Sequence, residues 1–157
     1  MAIEYREGDA TATQGNGKKI IAHICNDIGG WGRGFVLAIS KRWPEPEQQY
    51  RQWYQSGKNF SLGQIQLVQV SDDSWVANMI GQRDIHSQKG VPPIRYDAVE
   101  SCLEKLADMT EQMQARVQMP RIGCGLAGGK WQQMEPIIEK CLLSRNIPVL
   151  VYDFKPE

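Results

Sequence analysis

Met119-Pro120-Arg121-Ile122-Gly123-Cys124-Gly125-Leu126-Ala127-Gly128-Gly129-Lys130-Trp131 divides a short apolar run from a helical pattern. Four of the seven residues from 123 to 129 are glycine. So many positions without a Cβ cost chain entropy, and the usual compensation is a backbone bent so that several N–H groups converge. Such a concavity, backed by a helix N-terminus, suits a phosphate. A second cluster, Gly29-Gly30-Trp31-Gly32-Arg33-Gly34, also lies between a strand-like and a helix-like run. Two such loops predict a ligand with a phosphate portion and another polar portion.

The flanking segments set the fold class. Residues 19–25, Lys-Ile-Ile-Ala-His-Ile-Cys, read as a buried strand, and residues 3–6 as a short edge strand. A helix is expected over 34–42, broken by Pro44 and Pro46, with another over 47–54. In the latter, Tyr50, Trp53 and Tyr54 have the spacing of packing residues. Residues 63–70 alternate in polarity, turn at Asp72-Asp73 and return as 75–80, the pattern of a hairpin. Val99, Cys102, Leu103, Leu106, Met109 and Met113 mark a helix over 96–114. Then come a strand over 117–122, a helix around Met134–Leu142 and a buried strand over 148–154. Strands mixed with crossover helices predict an α/β fold, a three-layer α/β/α arrangement with a mixed central sheet, and ligands at the carboxyl ends of its strands. The chain is read as one domain, 1–157.

Composition narrows the function classes. Eighteen basic and eighteen acidic residues give zero formal charge, which argues against a protein held on duplex nucleic acid by a broad basic face. No run approaches the ~20 apolar residues that span a bilayer, and the N-terminus lacks a signal-like apolar stretch. Cys25, Cys102, Cys124 and Cys141 form no CxxC pair and read as reduced thiols. The expectation is a cytoplasmic monomer without membrane, metal or cofactor. Of the two histidines, His23 lies inside a strand and reads as a hydrogen-bonded core residue; His86 falls in a polar loop.

Familiar phosphate motifs fit poorly. Gly123-x-Gly125-x-x-Gly128 has dinucleotide spacing, but only one helix and one strand follow it, too little for a Rossmann unit. A Walker A loop fails because Trp131 stands where Ser or Thr is required. A cysteine phosphatase built on Cys124 would need arginine where Lys130 stands.

Together, Gly8-Asp9, the stretch from His23 to Val36 and the stretch from Met119 to Trp131 resemble the macro domain, an ADP-ribose-binding family. The closest likeness is to the branch with terminal ADP-ribose glycohydrolases, a chromatin remodeller's macro module and bacterial Appr-1-p processing proteins. The resemblance covers nearly the whole chain. It implies that Asp9 lies near adenine and that Asn26 and Asp27, with Gly32 and Gly34, surround the distal ribose. It also implies that Gly123, Cys124, Gly125, Leu126, Ala127, Gly128 and Gly129 cradle the diphosphate through backbone N–H groups. Phe154 is expected either against adenine or in the core. Deacylating members of the branch carry a lysine at the end of a middle strand and an aspartate in the second loop; here those positions align with Gln82 and Ala127. The expected function is hydrolysis of an ADP-ribose derivative, such as ADP-ribose 1″-phosphate or an ADP-ribosylated substrate, with Asp27 as base and Asn26 orienting the ribose. The alternative is a non-catalytic ADP-ribose reader. The implied partner is ADP-ribose or an ADP-ribosylated substrate.

Overall fold

The computed structural model describes residues 1–154. In chain order its elements are β1 (Glu4–Glu7), β2 (Lys19–Asn26), α1 (Phe35–Arg42), α2 (Glu45–Ser56), β3 (Ile65–Gln69), β4 (Ser74–Gln82), α3 (Tyr96–Met113), β5 (Arg116–Met119), α4 (Trp131–Cys141) and β6 (Val149–Asp153), with a 3₁₀ turn at Leu143–Arg145 before the last strand. The order matches the sequence pattern. The strands form one six-stranded sheet, β1-β6-β5-β2-β4-β3. Every pairing is parallel except the β3–β4 hairpin, so the sheet is mixed.

The two-residue period of β2 assigns its side chains to two layers. Ile20 and Ala22 enter the core beneath α3 and α4, with Leu103, Leu106, Met119 and Met134. Ile21 and Cys25 enter a second core beneath α1 and α2, with Trp31, Ile39 and Tyr50. Helices on both faces of a mixed sheet make the expected three-layer α/β/α fold. Among the described residues no helix is long and apolar enough to cross a membrane.

Most element ends shift by one to three residues from the sequence reading, and proline accounts for two of the shifts. α2 starts at Glu45, because Pro46 occupies the first helical turn, where a missing N–H removes no bond. β5 stops at Met119, since Pro120 has no N–H to continue the ladder. At the end of β4 the register slips: Cys25 faces Ile80 but Asn26 faces Gln82. The bulge leaves Gly81 unmatched and re-aims the side chains around it.

Candidate functional site

β2 and β5 are neighbours, so the two glycine loops leave the same edge of the sheet. Between them lies a cavity of about 520 Å³, within the range that holds a small ligand. A smaller cavity of about 210 Å³ adjoins it, and Phe35, Arg121 and Phe154 border both. With β6 on one side of the β5–β2 pair and β4 on the other, the cleft runs from Phe154 at one end to Gln82 at the other. The loops approach each other over it: a Cβ on Gly34 would lie 3.6 Å from Leu126 Cδ1.

The second loop is held open by its own hydrogen bonds. Gly129 N–H donates to the Gly123 carbonyl (2.7 Å), Gly128 N–H to that of Gly125 (3.0 Å) and Cys124 N–H to that of Arg121 (3.2 Å). Those three amides are therefore spent on the shape of the loop, which corrects the expectation that all seven residues donate to a ligand. Among the described residues the N–H groups of Gly123, Gly125, Leu126 and Ala127 have no protein acceptor. Gly123, Gly125, Leu126 and Ala127 also line the larger cavity. Acceptor-free donors on residues that line a cleft, in a loop that leads into the N-terminus of α4, suit an anion.

The first loop is organised by Asn26. Its Oδ1 accepts from Ile28 N–H (3.0 Å), Gly30 N–H (2.9 Å) and the Tyr50 hydroxyl (2.9 Å), while Nδ2 donates to the Gly30 carbonyl (2.9 Å). Buried and committed to these partners, Asn26 shapes the loop rather than presenting a free acceptor to a ribose. Asp27 is likewise committed to a protein partner through one oxygen. Its Oδ1 accepts the Asp84 N–H at 2.7 Å, and neither Asn26 nor Asp27 belongs to the wall of the larger cavity. The expected base is thus occupied by a neighbouring loop. Gly32 is exposed and Gly34 lines the cleft. Tyr54 packs so closely over Gly29 that a Cβ there would lie 2.4 Å from its ring; the α2 aromatics buttress this loop, as their spacing suggested.

No carboxylate lines the larger cavity among the described residues, whereas Arg33 and Arg121 do. Arg121 is bound to Asp153 through two bonds of 2.5 and 3.1 Å, and its guanidinium lies 5.1 Å from the ring centroids of both Tyr5 and Trp131. The paired guanidinium holds the Asp153 carboxyl below its ordinary range. Arg33 has no anionic partner among the described residues. The wall accordingly favours an anion. Sequence reading assigned no role to Arg121 or Phe35; the available signals were an arginine inside the glycine motif and an apolar residue opening the helix behind Gly34.

His23 contributes to the cavity lining and is 1% exposed. The Asn78 amide nitrogen donates to Pro46 and Gln66 oxygens, which turns Asn78 Oδ1 toward His23 Nε2 at 2.5 Å. The proton therefore sits on Nε2 and the imidazole is neutral. Burial lowers its pKa to about 4, against a smaller upward effect of Asn78. Below pH 6.5 the unfolded chain takes up a proton that the folded chain refuses. This stabilisation is present above 6.5 and is lost as pH falls toward 4, amounting to about 3 kcal/mol over that range. Urea melts at pH 7 and pH 4.5 are expected to differ by more in the wild type than in His23→Gln.

At the other end, Asp9 and Phe154 border the smaller cavity. Asp9 Oδ1 accepts the Thr11 amide and hydroxyl (2.8 and 2.7 Å), and Oδ2 lies 3.6 Å from Arg42. Burial raises the Asp9 pKa, but the Thr11 bonds and Arg42 outweigh it and the net shift is downward. Phe154 is 76% exposed, which excludes its core reading. Cys124 donates to the Ile122 carbonyl, and burial raises its pKa despite Arg121 nearby, so it is a thiol rather than a nucleophilic thiolate. All four cysteines are free. The fold brings Cys141 beside Glu100 and Glu104, a grouping invisible in the sequence. Glu100 already pairs with Lys140, and burial with the nearby carboxylates pushes the Cys141 thiol up to about 11, which disfavours a metal-binding thiolate.

No family model matches the chain. Among solved structures, a macrodomain protein from Streptomyces coelicolor is 51% identical, covers 96% of this chain with 98% of its own, and superposes with a TM-score of 0.85. This chain belongs to the macrodomain family. The macrodomain is also 32% identical to part of the chromodomain-helicase-DNA-binding protein 1-like of Danio rerio, matching 98% of this chain but spanning only 16% of that protein's length. An ADP-ribose 1″-phosphate phosphatase from Lodderomyces elongisporus is 26% identical over 98% of this chain and its own full length. In this macrodomain Gln82 and Ala127 both lie on the cavity wall.

Proposed function

We propose that this macrodomain binds ADP-ribose and hydrolyses an ADP-ribose derivative at the distal ribose. The observation that carries the reading is a cleft without a carboxylate on its wall among the described residues, edged by four acceptor-free amides of the second loop. A diphosphate supplies the charge such donors require. With the diphosphate under Leu126, adenine extends toward Phe154 and Asp9, and the distal ribose toward His23 and Gln82. The phosphatase name of a full-length relative supports the hydrolytic part. The site's own groups would act by orientation and by hydrogen bonds to the departing oxygen. Asp27 could serve as base only through the oxygen not bound to Asp84. Free thiols fit a reducing compartment such as the cytoplasm, and the protein would work there as a monomer.

A reader that binds without turnover is the second reading. Gln82 and Ala127 favour it, since neither side chain offers the acid, base or nucleophile of a lysine–aspartate pair. Calorimetry with ADP-ribose tests the shared part: both readings expect binding, and no heat at millimolar ligand overturns both. Release of phosphate from ADP-ribose 1″-phosphate, or of ADP-ribose from modified protein, separates them. Binding without either release leaves the reader.

Phe154→Ala tests the direction of the bound nucleotide. Stacking of a base on an aromatic ring contributes about 1–3 kcal/mol, so affinity for ADP-ribose is expected to fall roughly tenfold. Affinity for ribose 5-phosphate, which has no base, is expected to stay level. Equal losses for both ligands would place the adenine elsewhere.

A further inference from the structure

Asp27 and Gln82, distant in sequence, hold opposite sides of one residue. Asp27 Oδ1 accepts the Asp84 N–H at 2.7 Å, and Gln82 Nε2 donates to the Asp84 carbonyl at 2.8 Å. Asp84 itself has φ +61°, a left-handed conformation that is uncommon outside glycine and is kept only where its surroundings hold it. Its own carboxylate accepts the next amide, that of Ile85. Farther along, Ile94 N–H donates to the Ala127 carbonyl (3.0 Å), and Pro92 lies against Gly128. The segment from Arg83 to Val91 therefore leaves the cleft at Gln82, which lies on the cavity wall, and adjoins that end without lining it. The chain is tied to the second loop just past the segment, at Pro92 and Ile94, and to the first loop through the Asp27 carboxylate.

We propose that Asp27 and Gln82 are positioning residues that together clamp Asp84, and so hold the Gln82 side chain and the start of the 83–91 segment at the end of the cleft that selects what is attached to the distal ribose. This rests on the ADP-ribose reading above. The clamp needs an acceptor at position 27 and does not need a charge. A base needs a proton-accepting carboxylate. Asparagine keeps the first property and lacks the second, so the two roles separate cleanly at this position.

The experiment compares wild type, Asp27→Ala and Asp27→Asn. Calorimetry of the wild type with ADP-ribose comes first; absence of binding there defeats the functional reading and leaves the clamp to be judged by exchange alone. Hydrogen exchange over residues 83–91 is expected to accelerate on the order of tenfold in Asp27→Ala, the loss of a hydrogen bond to a charged acceptor, and to stay near wild type in Asp27→Asn. The affinity ratio between ADP-ribose and ADP-ribose 1″-phosphate is expected to move severalfold in Asp27→Ala and to return in Asp27→Asn. Unchanged exchange in Asp27→Ala overturns the proposal. So does an Asp27→Asn protein that folds, by its thermal melt, yet loses protection in 83–91 or the wild-type ratio. Should Asp27→Ala not fold, Asp27→Asn alone decides, by the same two readouts.

Discussion

Gly129→Ala is expected to abolish measurable ADP-ribose binding and to lower stability by about 2–4 kcal/mol, in the upper range for single substitutions. A Cβ at this position would stand 2.4 Å from the Gly123 carbonyl oxygen. That oxygen belongs to the backbone and also accepts the Gly129 N–H, so it cannot swing aside as a flexible side chain would. Relief requires the two ends of the second loop to separate. The hydrogen bond that closes the loop then breaks, and the free amides of Gly125, Leu126 and Ala127 lose their common aim. Gly125→Ala is the matched control. A Cβ there meets nothing within 4 Å, so stability is expected to change by less than about 0.5 kcal/mol. Because Gly125 lines the cavity, the added methyl still competes with the ligand. Thermal melts and calorimetry on the pair separate loop collapse from simple obstruction. Similar melts for both variants would show that the close approach at Gly129 is not a constraint.

Asn26→Ala is expected to cost about 2–4 kcal/mol and at least tenfold in ligand affinity. The substitution leaves Ile28 N–H, Gly30 N–H and the Gly30 carbonyl without partners, and each buried unpaired group costs about 1–3 kcal/mol. Water entering the loop offsets part of that sum. The Tyr50 hydroxyl keeps its bond to the Asn26 carbonyl (2.6 Å), so the underlying aromatic core is expected to persist. Asn26→Asp retains the acceptor for both amides but sets a carboxylate against the Gly30 carbonyl, and an intermediate loss is expected. Urea melts rank the three proteins. A ranking with alanine above aspartate would mean that the amide network is not what holds this loop.

Much of the fold can be read from local pattern. The two-residue period of residues 19–25 and the helical period of Val99, Cys102, Leu103 and Leu106 record which side of each element is buried. That is a property of neighbouring residues and needs no knowledge of distant contacts. The glycine clusters were legible for a similar reason: only a special backbone conformation or a close approach justifies the entropy of so many glycines. Gly34, Gly123, Gly125, Leu126 and Ala127 accordingly line the larger cavity at the strand ends.

The direction of individual side chains was not legible. Asn26 and Asp27 stand between a strand and a glycine loop, and the family resemblance implied that they meet the distal ribose. Whether a carboxylate meets a ligand or the backbone of residue 84 depends on a bulge in β4 and on a segment more than fifty residues away. Arg121 sits in the most informative motif of the chain, yet its pairing with Asp153 and its place between Tyr5 and Trp131 exist only once β1, β6 and α4 are assembled.

Composition and periodicity alone determined a charge-balanced α/β chain with two glycine loops at strand ends, because burial and backbone strain leave their mark on adjacent residues. Tertiary structure alone decided which amides remain unpaired, that the larger cavity has no carboxylate on its described wall, and that Asp27 meets Asp84, because hydrogen-bond partners are chosen by distance in space.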